Sequence, residues 1–345
     1  MKILVDAMSG DFAPIEPLKG AALAAKEYSD HEILLVGDEN IISDTAIKNE
    51  IDISGLKIIH TSGIITMEDS PLSVVRDKKD SSMGVGFKTL ANGEVDAFVS
   101  AGNTGALITG ATIIVRRIRG INRAAIASIL PLSTPVLLMD SGANLTVSSD
   151  NICQFAYMGS KYMEKIYGID RPKIGLLNNG TEYNKGNALQ QESYQILSDS
   201  GLNFVGNVEA KDVPFGVCDV LVTDGFTGNI FLKSIEGMGK FLMGTLKDIL
   251  TTNLVTKVST LTMKDKIREM KARFDSSEHG GAPLLGISKP VIKAHGSSDA
   301  KAIKNAVRQA IHYVETGITA DISVFASDYD EKKIIADIEK LYSNI

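Results

Sequence analysis

Short apolar runs recur along the chain, each closed by Gly, Asn, Asp or Ser: ILV at 3–5, EILLVG at 32–37, LKIIH at 56–60, VDAFVSAG at 95–102, AAIASIL at 124–130, VLLMD at 136–140, KIGLLN at 173–178, DVLVTDG at 219–225 and VIKAHG at 291–296. Their lengths and β-branched content predict buried strands. Helically spaced apolar residues fill many of the intervals, at 17–28, 105–118, 151–168, 188–199 and 297–318. Strand alternating with helix predicts an α/β fold of three α/β/α layers around a largely parallel sheet. One segment departs from the alternation: from Glu236 to Phe274 the pattern stays helical, with a break near TTNLVTKVSTLTM at 251–263. That predicts a protruding αα-hairpin whose tip carries Leu254, Val255, Val258 and Leu261. No short repeat or low-complexity linker divides the chain, so residues 1–345 read as one unit, with a cleft between two subdomains left open and the hairpin at 236–274 inside it.

Composition narrows the class. With 345 residues and 44% hydrophobic content, the chain has enough apolar material for a sizeable core. Its formal net charge of −6 gives no general attraction to nucleic acid, and an acidic partner would need a local basic patch. Cys153 and Cys218 sit in apolar surroundings without ligand-spaced companions, against a disulfide framework or zinc site. The N-terminal MKILVDAM is too short an apolar run for a signal peptide, and Pro131 and Pro135 interrupt the longest apolar stretch, Ala124 to Met139. A soluble, cytoplasmic chain is expected.

Ligands of open α/β sheets bind at the carboxyl ends of the strands. The loops expected there are small and polar: DAMSGD (6–11), SAGNTGA (100–106), DSGAN (140–144), NNGTEYNKGN (178–187), DGFTGN (224–229) and AHGSSDAKA (294–302). Any one is what an ordinary turn demands; together they predict a rim. GNTGA, FTGN and GSSDAK place Gly, Ser or Thr just before a helical pattern, where backbone N–H groups and the helix dipole face an incoming anion. Ser297 or Ser298 also reads as the N-cap of the last long helix. His295 could serve as a general base, although a lone histidine at a strand end is more often a hydrogen-bonded structural residue. No GxxxxGKS/T loop, GxGxxG fingerprint or GxSxG elbow occurs. The residues alone reach an α/β enzyme that handles a phosphate-like anion.

Eight blocks sharpen this: VDAMSGDFAP, KKDSSM, SAGNTGAL, GANL, LLNNGTEYNKGN, DGFTGNIFLK, GGAPLLGI and HGSSDAKAIKNAVRQA, spread from residue 4 to about 310. Together they resemble the phosphate acyltransferase family of bacterial phospholipid synthesis. Ser9 and Phe12 depart from its usual Gly-Gly-Asp-His, so a histidine role there is not available, and Asn179 and Thr181 also differ. The resemblance implies an isocitrate/isopropylmalate dehydrogenase-like fold and a homodimer without metal or nucleotide cofactor. It implies attack of inorganic phosphate on the thioester of a fatty acyl group carried by acyl carrier protein, which releases acyl phosphate for phosphatidic acid synthesis. Peripheral contact with the membrane surface, and with the downstream glycerol-phosphate acyltransferase, belongs to the same expectation.

That chemistry asks for an anion held against a carbonyl, for neutralisation of its charge, and for donors to the oxyanion. Lys185 is the expected cation, with Asn229 and the backbone of Gly225, Thr227 and Gly228 as donors. Asp224 either orients Lys185 or Asn229, takes a proton from phosphate, or caps its own loop. Asp6, Asn103, Thr104, Gly105, Asn144, His295, Ser297 and Ser298 are expected to line the phosphate site. For the acidic carrier, Arg116, Arg117, Arg119 and Arg123 lie in a stretch, 97–139, that contains no Asp or Glu. A second basic run, Lys264 to Arg273, lies on the hairpin's return arm. The hairpin tip reads as a dimer contact, a partner-helix contact or an interfacial membrane anchor. Rival readings are a phosphotransacetylase using coenzyme A thioesters, an NAD-dependent decarboxylating dehydrogenase, and a membrane-recruited scaffold.

Overall fold

The computed structural model describes residues 1–132, 134–253, 256, 260, 263–268, 270, 278 and 280–329. Two sheets carry the fold rather than one. Strands β1 (Lys2–Asp6), β2 (Glu32–Gly37), β3 (Lys57–His60), β4 (Ala97–Ser100), β5 (Ala125–Ile126), β11 (Ala282–Leu285) and β12 (Val291–Lys293) form the first, in the order β3-β2-β1-β4-β12-β11-β5. The second comprises β6 (Ser128–Leu130), β7 (Val136–Met139), β8 (Ile174–Asn178), β9 (Phe204–Glu209) and β10 (Val220–Val222), in the order β6-β7-β10-β8-β9. Pairing is largely parallel, but β11 is antiparallel to both β12 and β5, and β6 is antiparallel to β7. The run AAIASIL, expected as one strand, is split at Ala127 into β5 and β6 and so passes from one sheet to the other. The Ala127 N–H leaves the second sheet and bonds Pro283 O at 3.0 Å.

The layers follow from the two-residue period of the strands. In the first sheet Ile3, Val5, Ala97 and Val99 turn towards α1 (Ile15–Glu27) and α8 (Ala300–Thr316), packing with Leu18, Ala21, Ile303 and Val307. Leu4 and Phe98 turn the other way, onto Met83, Phe87 and Leu107 from α3 (Ser82–Ala91) and α4 (Thr104–Gly110). α2 (Glu39–Lys48) flanks the outer edge, next to β3. α1 and α8 approach so closely that a Cβ on Gly20 would sit 2.5 Å from Ile303 Cβ. The second sheet repeats the arrangement. Leu137, Met139, Ile174 and Val222 pack on Phe155, Met158 and Tyr162 of α5 (Ser149–Tyr167) and Leu197 of α6 (Ala188–Asp199). Val136, Leu138 and Leu221 face Phe231 and Leu232 of α7 (Gly225–Leu250).

Among the described residues, α2, α3, β9 and β11 were not legible in the sequence. β9 carries Gly206 at positive φ, and β11 is a four-residue APLL with an internal proline. The helix expected at 105–118 breaks into α4 and a π turn over Ala111–Val115, closed by Arg116 at φ 77°. The first arm of the expected hairpin is the far part of α7, which begins much earlier, in the 224 loop. Residues 263–268 are helical, and the Thr260 hydroxyl donates to Leu250 O at 3.2 Å, so the chain has turned back there. Leu254, Val255, Val258 and Leu261 lie outside the described residues.

Candidate active site

The polar loops divide between the carboxyl edges of the two sheets. On the first edge, Asp6 ends β1 in full burial and accepts from Ser9 Oγ at 2.6 Å, Ser100 Oγ at 2.8 Å and Met8 N at 3.2 Å. Burial pushes its carboxyl above the usual range, against the pull of these donors. Asp6, expected at the phosphate site, therefore lies beneath the rim and ties loop 6–11 to loop 100–106. Ser9, where the family usually has glycine, is buried and spends its hydroxyl on Asp6. Phe12, in place of the family's histidine, stands exposed. The Asp11 N–H joins this loop to Gly296 O at 2.8 Å.

Asn103 caps α4 by accepting from Ala106 N at 3.1 Å, and its amide donates to Met67 O at 3.0 Å and Asp69 O at 3.2 Å. Its polar atoms are thus committed to the loop, with Thr104 and Gly105 partly exposed beside it. Ser297 and Ser298 do not cap α8; Asp299 does, accepting from Ala302 N at 2.8 Å.

On the second edge a buried carboxylate, Asp140, organises loop 140–144. It accepts the N–H groups of Ile126 (3.1 Å), Gly142 (3.1 Å), Ala143 (3.0 Å) and Asn144 (2.7 Å), and the Asn144 amide (2.9 Å). The Asn144 amide spends its two N–H groups on Asp140 and on Ala124 O. Asn144 O in turn accepts the Gly225 N–H at 2.8 Å. Asp224 is the N-cap of α7, taking Thr227 N at 2.8 Å and Thr227 Oγ at 2.7 Å, and the Gly228 N–H goes to Asp224 O at 2.9 Å. The 224–229 turn is therefore capped from within: the backbone donors expected of Gly225, Thr227 and Gly228 are already engaged, and Asp224 orients neither Lys185 nor Asn229. The exposed side chain of Asn229 remains, packed over Gly142, where a Cβ would stand 3.6 Å from its Oδ1.

Lys185 lies in the loop after β8, the strand paired in parallel with β10, so loops 178–187 and 224–229 leave neighbouring strands at the same edge. The loop is held by its backbone: Asn178 Nδ2 donates to Lys185 O at 3.2 Å and Asn207 Nδ2 to Glu182 O at 2.7 Å. The Lys185 side chain is half exposed, its ammonium 3.9 Å from Glu182.

The two edges face each other. Lys233 lies one helical turn beyond Asn229 on α7, hence on the same face. Its Nζ is 3.2 Å from His295 Nε2 and 2.8 Å from Glu236. His295 Nδ1 lies 2.9 Å from Ser297 Oγ and 3.2 Å from Ser297 N. Burial and Lys233 both push the His295 ring below its ordinary value. Beside it, Lys293 ends β12 with its ammonium on Ala294 O at 2.5 Å, and burial together with Lys233 brings it down to about 8. Lys233 and Lys293 escaped the sequence reading. A signal existed for each: a lysine closing the buried strand VIK, and a lysine four residues after Asn229.

Arg116, Arg117, Arg119 and Arg123 are exposed, and among the described residues no ion pair involves them. The Arg117 guanidinium is engaged with Asn122 O. No group of three or more His, Cys, Asp or Glu suited to a metal occurs among the described residues, and no described helix is long and apolar enough to cross a membrane.

The fold matches solved phosphotransacetylases at low identity. The Staphylococcus aureus EutD phosphotransacetylase superposes with a TM-score of 0.56 at 16% identity, covering 92% of this chain and 94% of that one. A phosphotransacetylase from Streptococcus pyogenes gives 0.57 at 17%, with the same coverage. In sequence, the phosphate acyltransferase of Thermoanaerobacter pseudethanolicus is 46% identical over 319 residues, spanning 92% of this chain and 95% of the relative. That of Clostridioides difficile is 43% identical over 334 residues, 96% of this chain and 98% of the relative. The fatty acid synthesis protein family matches residues 1–321. The chain in which α7 brings Lys233 to His295 at the end of β12 thus belongs to the phosphate acyltransferases of the fatty acid synthesis protein family, and it is an acyltransferase enzyme.

Proposed function

We propose that the enzyme transfers a fatty acyl group from acyl carrier protein to inorganic phosphate, giving acyl phosphate that a glycerol-phosphate acyltransferase consumes on the way to phosphatidic acid. The observation that carries this reading is the facing of the two sheet edges through Lys233 and His295, which sets cationic and amide donors around one cleft. Phosphate near neutral pH is anionic and already nucleophilic, and an ordinary thiol ionises near ~8.5, so strong acid–base help is not the main need. Charge and position are. Asn229 offers its amide to the developing oxyanion, Lys185 offers charge, and the N-terminus of α7 adds the positive end of its dipole. Phosphate attacks the thioester carbonyl, and the tetrahedral intermediate collapses with loss of the thiolate.

The carrier is acidic by expectation, and the Arg116 to Arg123 stretch is the basic surface we assign to it. Arg116 lies at the far end of the helical run begun at Thr104, roughly 18 Å along the axis at 1.5 Å per residue. Phosphate-dependent thiol release should be faster from acyl carrier protein than from acyl-coenzyme A. Arg116→Glu/Arg119→Glu should raise the KM for the carrier by roughly tenfold with kcat unchanged, as rim charges do. Release from acyl-coenzyme A alone would move the enzyme to the phosphotransacetylases.

A peripheral membrane contact and a homodimer complete the proposal. α7 exposes Phe226, Ile230, Met238, Phe241, Leu242 and Ile249, an apolar row leading towards the tip. Paired with Leu254→Asp/Val258→Asp, liposome flotation and sedimentation separate the uses. Lost flotation with the dimer intact supports the bilayer; a lost dimer with flotation retained assigns the tip to the subunit contact.

A further inference from the structure

Where the two edges meet, hydrogen-bond donors outnumber acceptors. A lysine ammonium carries three hydrogens, and a neutral imidazole has one accepting nitrogen. His295 must serve the Ser297 N–H at Nδ1 and the Lys233 ammonium at Nε2, at 3.2 Å each. It can accept only one of them. With the proton on Nδ1 the ring donates to Ser297 Oγ and the Ser297 N–H is left over; with it on Nε2 a ring N–H faces an ammonium. Lys233 has Glu236 as its carboxylate, and Lys293 has Ala294 O. Among the described residues no ion pair reaches Lys293, although Asp11 lies within its electrostatic range. Water serves the exposed donors of Lys233, His295 and Ser297 when no anion is bound, but the ammonium of Lys233 and that of the half-buried Lys293 act on each other as like charges, which costs free energy. The arrangement asks for a compact group with many acceptors and negative charge.

We propose that Lys233, Lys293 and His295 form a clamp for a phosphate oxyanion that spans the two sheet edges, Lys233 from α7 and the other two from the end of β12. The proposal rests on the reading of phosphate as acyl acceptor and names the side chains that bind it. Phosphate supplies acceptors to both ammonium groups and to whichever N–H the ring leaves over, and it neutralises the repulsion between them. Because Lys233 comes from α7, which covers the second sheet, and Lys293 from β12 of the first, the bound anion also ties the two edges together. The oxyanion bound could be free phosphate or the phosphodiester of the carrier's prosthetic arm, and kinetics separates the two.

Inorganic phosphate is the probe. Titrated calorimetrically into the full-length enzyme without thioester, it should bind wild type at least tenfold more tightly than Lys293→Met or Lys233→Ala. The same variants should show a phosphate KM raised at least tenfold and a carrier KM unchanged, with melting curves in phosphate-free buffer no worse than wild type. Lys293 is brought down to about 8 by burial first and by the Lys233 charge second, with Asp11 opposing; His295 beside it feels Lys233, Glu236, Lys293 and Lys240. Lys293 loses its charge as pH rises through that value, so the wild-type phosphate KM should climb above pH 8. Lys293→Arg, which keeps its charge, should flatten the climb. Phosphate affinity and KM unchanged in both single variants, or a change confined to the carrier KM, overturns the clamp. Wild type that binds phosphate but releases no thiol would leave the clamp standing and sink the acyl-transfer reading instead.

Discussion

Lys185→Ala should fold normally and lose acyl phosphate formation by about 10²- to 10³-fold, the scale of removing one preorganised group from a charge-stabilising site. The expectation of normal folding comes from how the loop is built. Asn178 and Asn207 hold it through the carbonyls of Lys185 and Glu182, and Gly186 takes the positive φ of 84° that the turn needs. The Lys185 side chain adds only a loose, exposed pair with Glu182, the kind worth little to stability. Its value lies in its place, on the loop beside the one that ends in Asn229. The loss should appear in kcat, since Lys185 is assigned to charge that develops during transfer, whereas Lys293→Met should act on the phosphate KM. Single-turnover thiol release from acyl carrier protein at saturating phosphate measures it, with Lys185→Arg as the charge-conserving control. Turnover within threefold of wild type would remove Lys185 from the mechanism.

The alternation of strand and helix was legible because strands buried on both faces read as unbroken apolar runs, and β4 and β7 are buried at every position. The division into two sheets was not. AAIASIL has no punctuation at Ala127; what splits it is pairing with β11 on one side and β7 on the other, and those partners are far away in sequence. The loops of the site were legible for a similar reason, since Gly, Asn and Asp cluster where strands end. Which polar atoms in them stay free was not, because that depends on bonds between loops. Asp6 looks like a ligand-facing acid until Ser9 and Ser100 are seen closing over it. In the DGFTGN turn, the bonds of the Gly225, Thr227 and Gly228 N–H groups to Asn144 and Asp224 could not be read from the segment itself. Lys233 and Lys293 were hidden in the opposite sense: each is an ordinary lysine in its own segment and gains meaning only when α7 crosses to the end of β12.

Asp140→Ala should be the most damaging single change to the scaffold of the site. Four backbone N–H groups and the Asn144 amide converge on that carboxylate with no exposure to water. Without it the Ile126 N–H is buried unpaired and the half-buried donors of Gly142, Ala143 and Asn144 lose their acceptor; at about 1–3 kcal/mol for a buried unpaired donor and less for the others, the loss should be about 3 kcal/mol. Asp140→Asn should do almost as badly, because one carboxylate oxygen becomes an amide donor facing donors. Asp224→Ala, which removes only a helix cap, should cost about 1 kcal/mol. Denaturant midpoints of the three variants test the ranking, and Asp140→Ala within about 1 kcal/mol of wild type would dismiss it, since that is no more than an ordinary cap. The damage should reach the chemistry as well. Loop 140–144 carries Gly142 under Asn229 and receives the Gly225 N–H that begins α7. Gly228 packs so close that a Cβ there would fall on the Asp140 carbonyl oxygen. Losing the carboxylate therefore frees the start of the helix that presents Asn229 and Lys233. Any Asp140→Ala protein that remains folded at low temperature should show a lower kcat and a higher phosphate KM together, since the helix carries both groups.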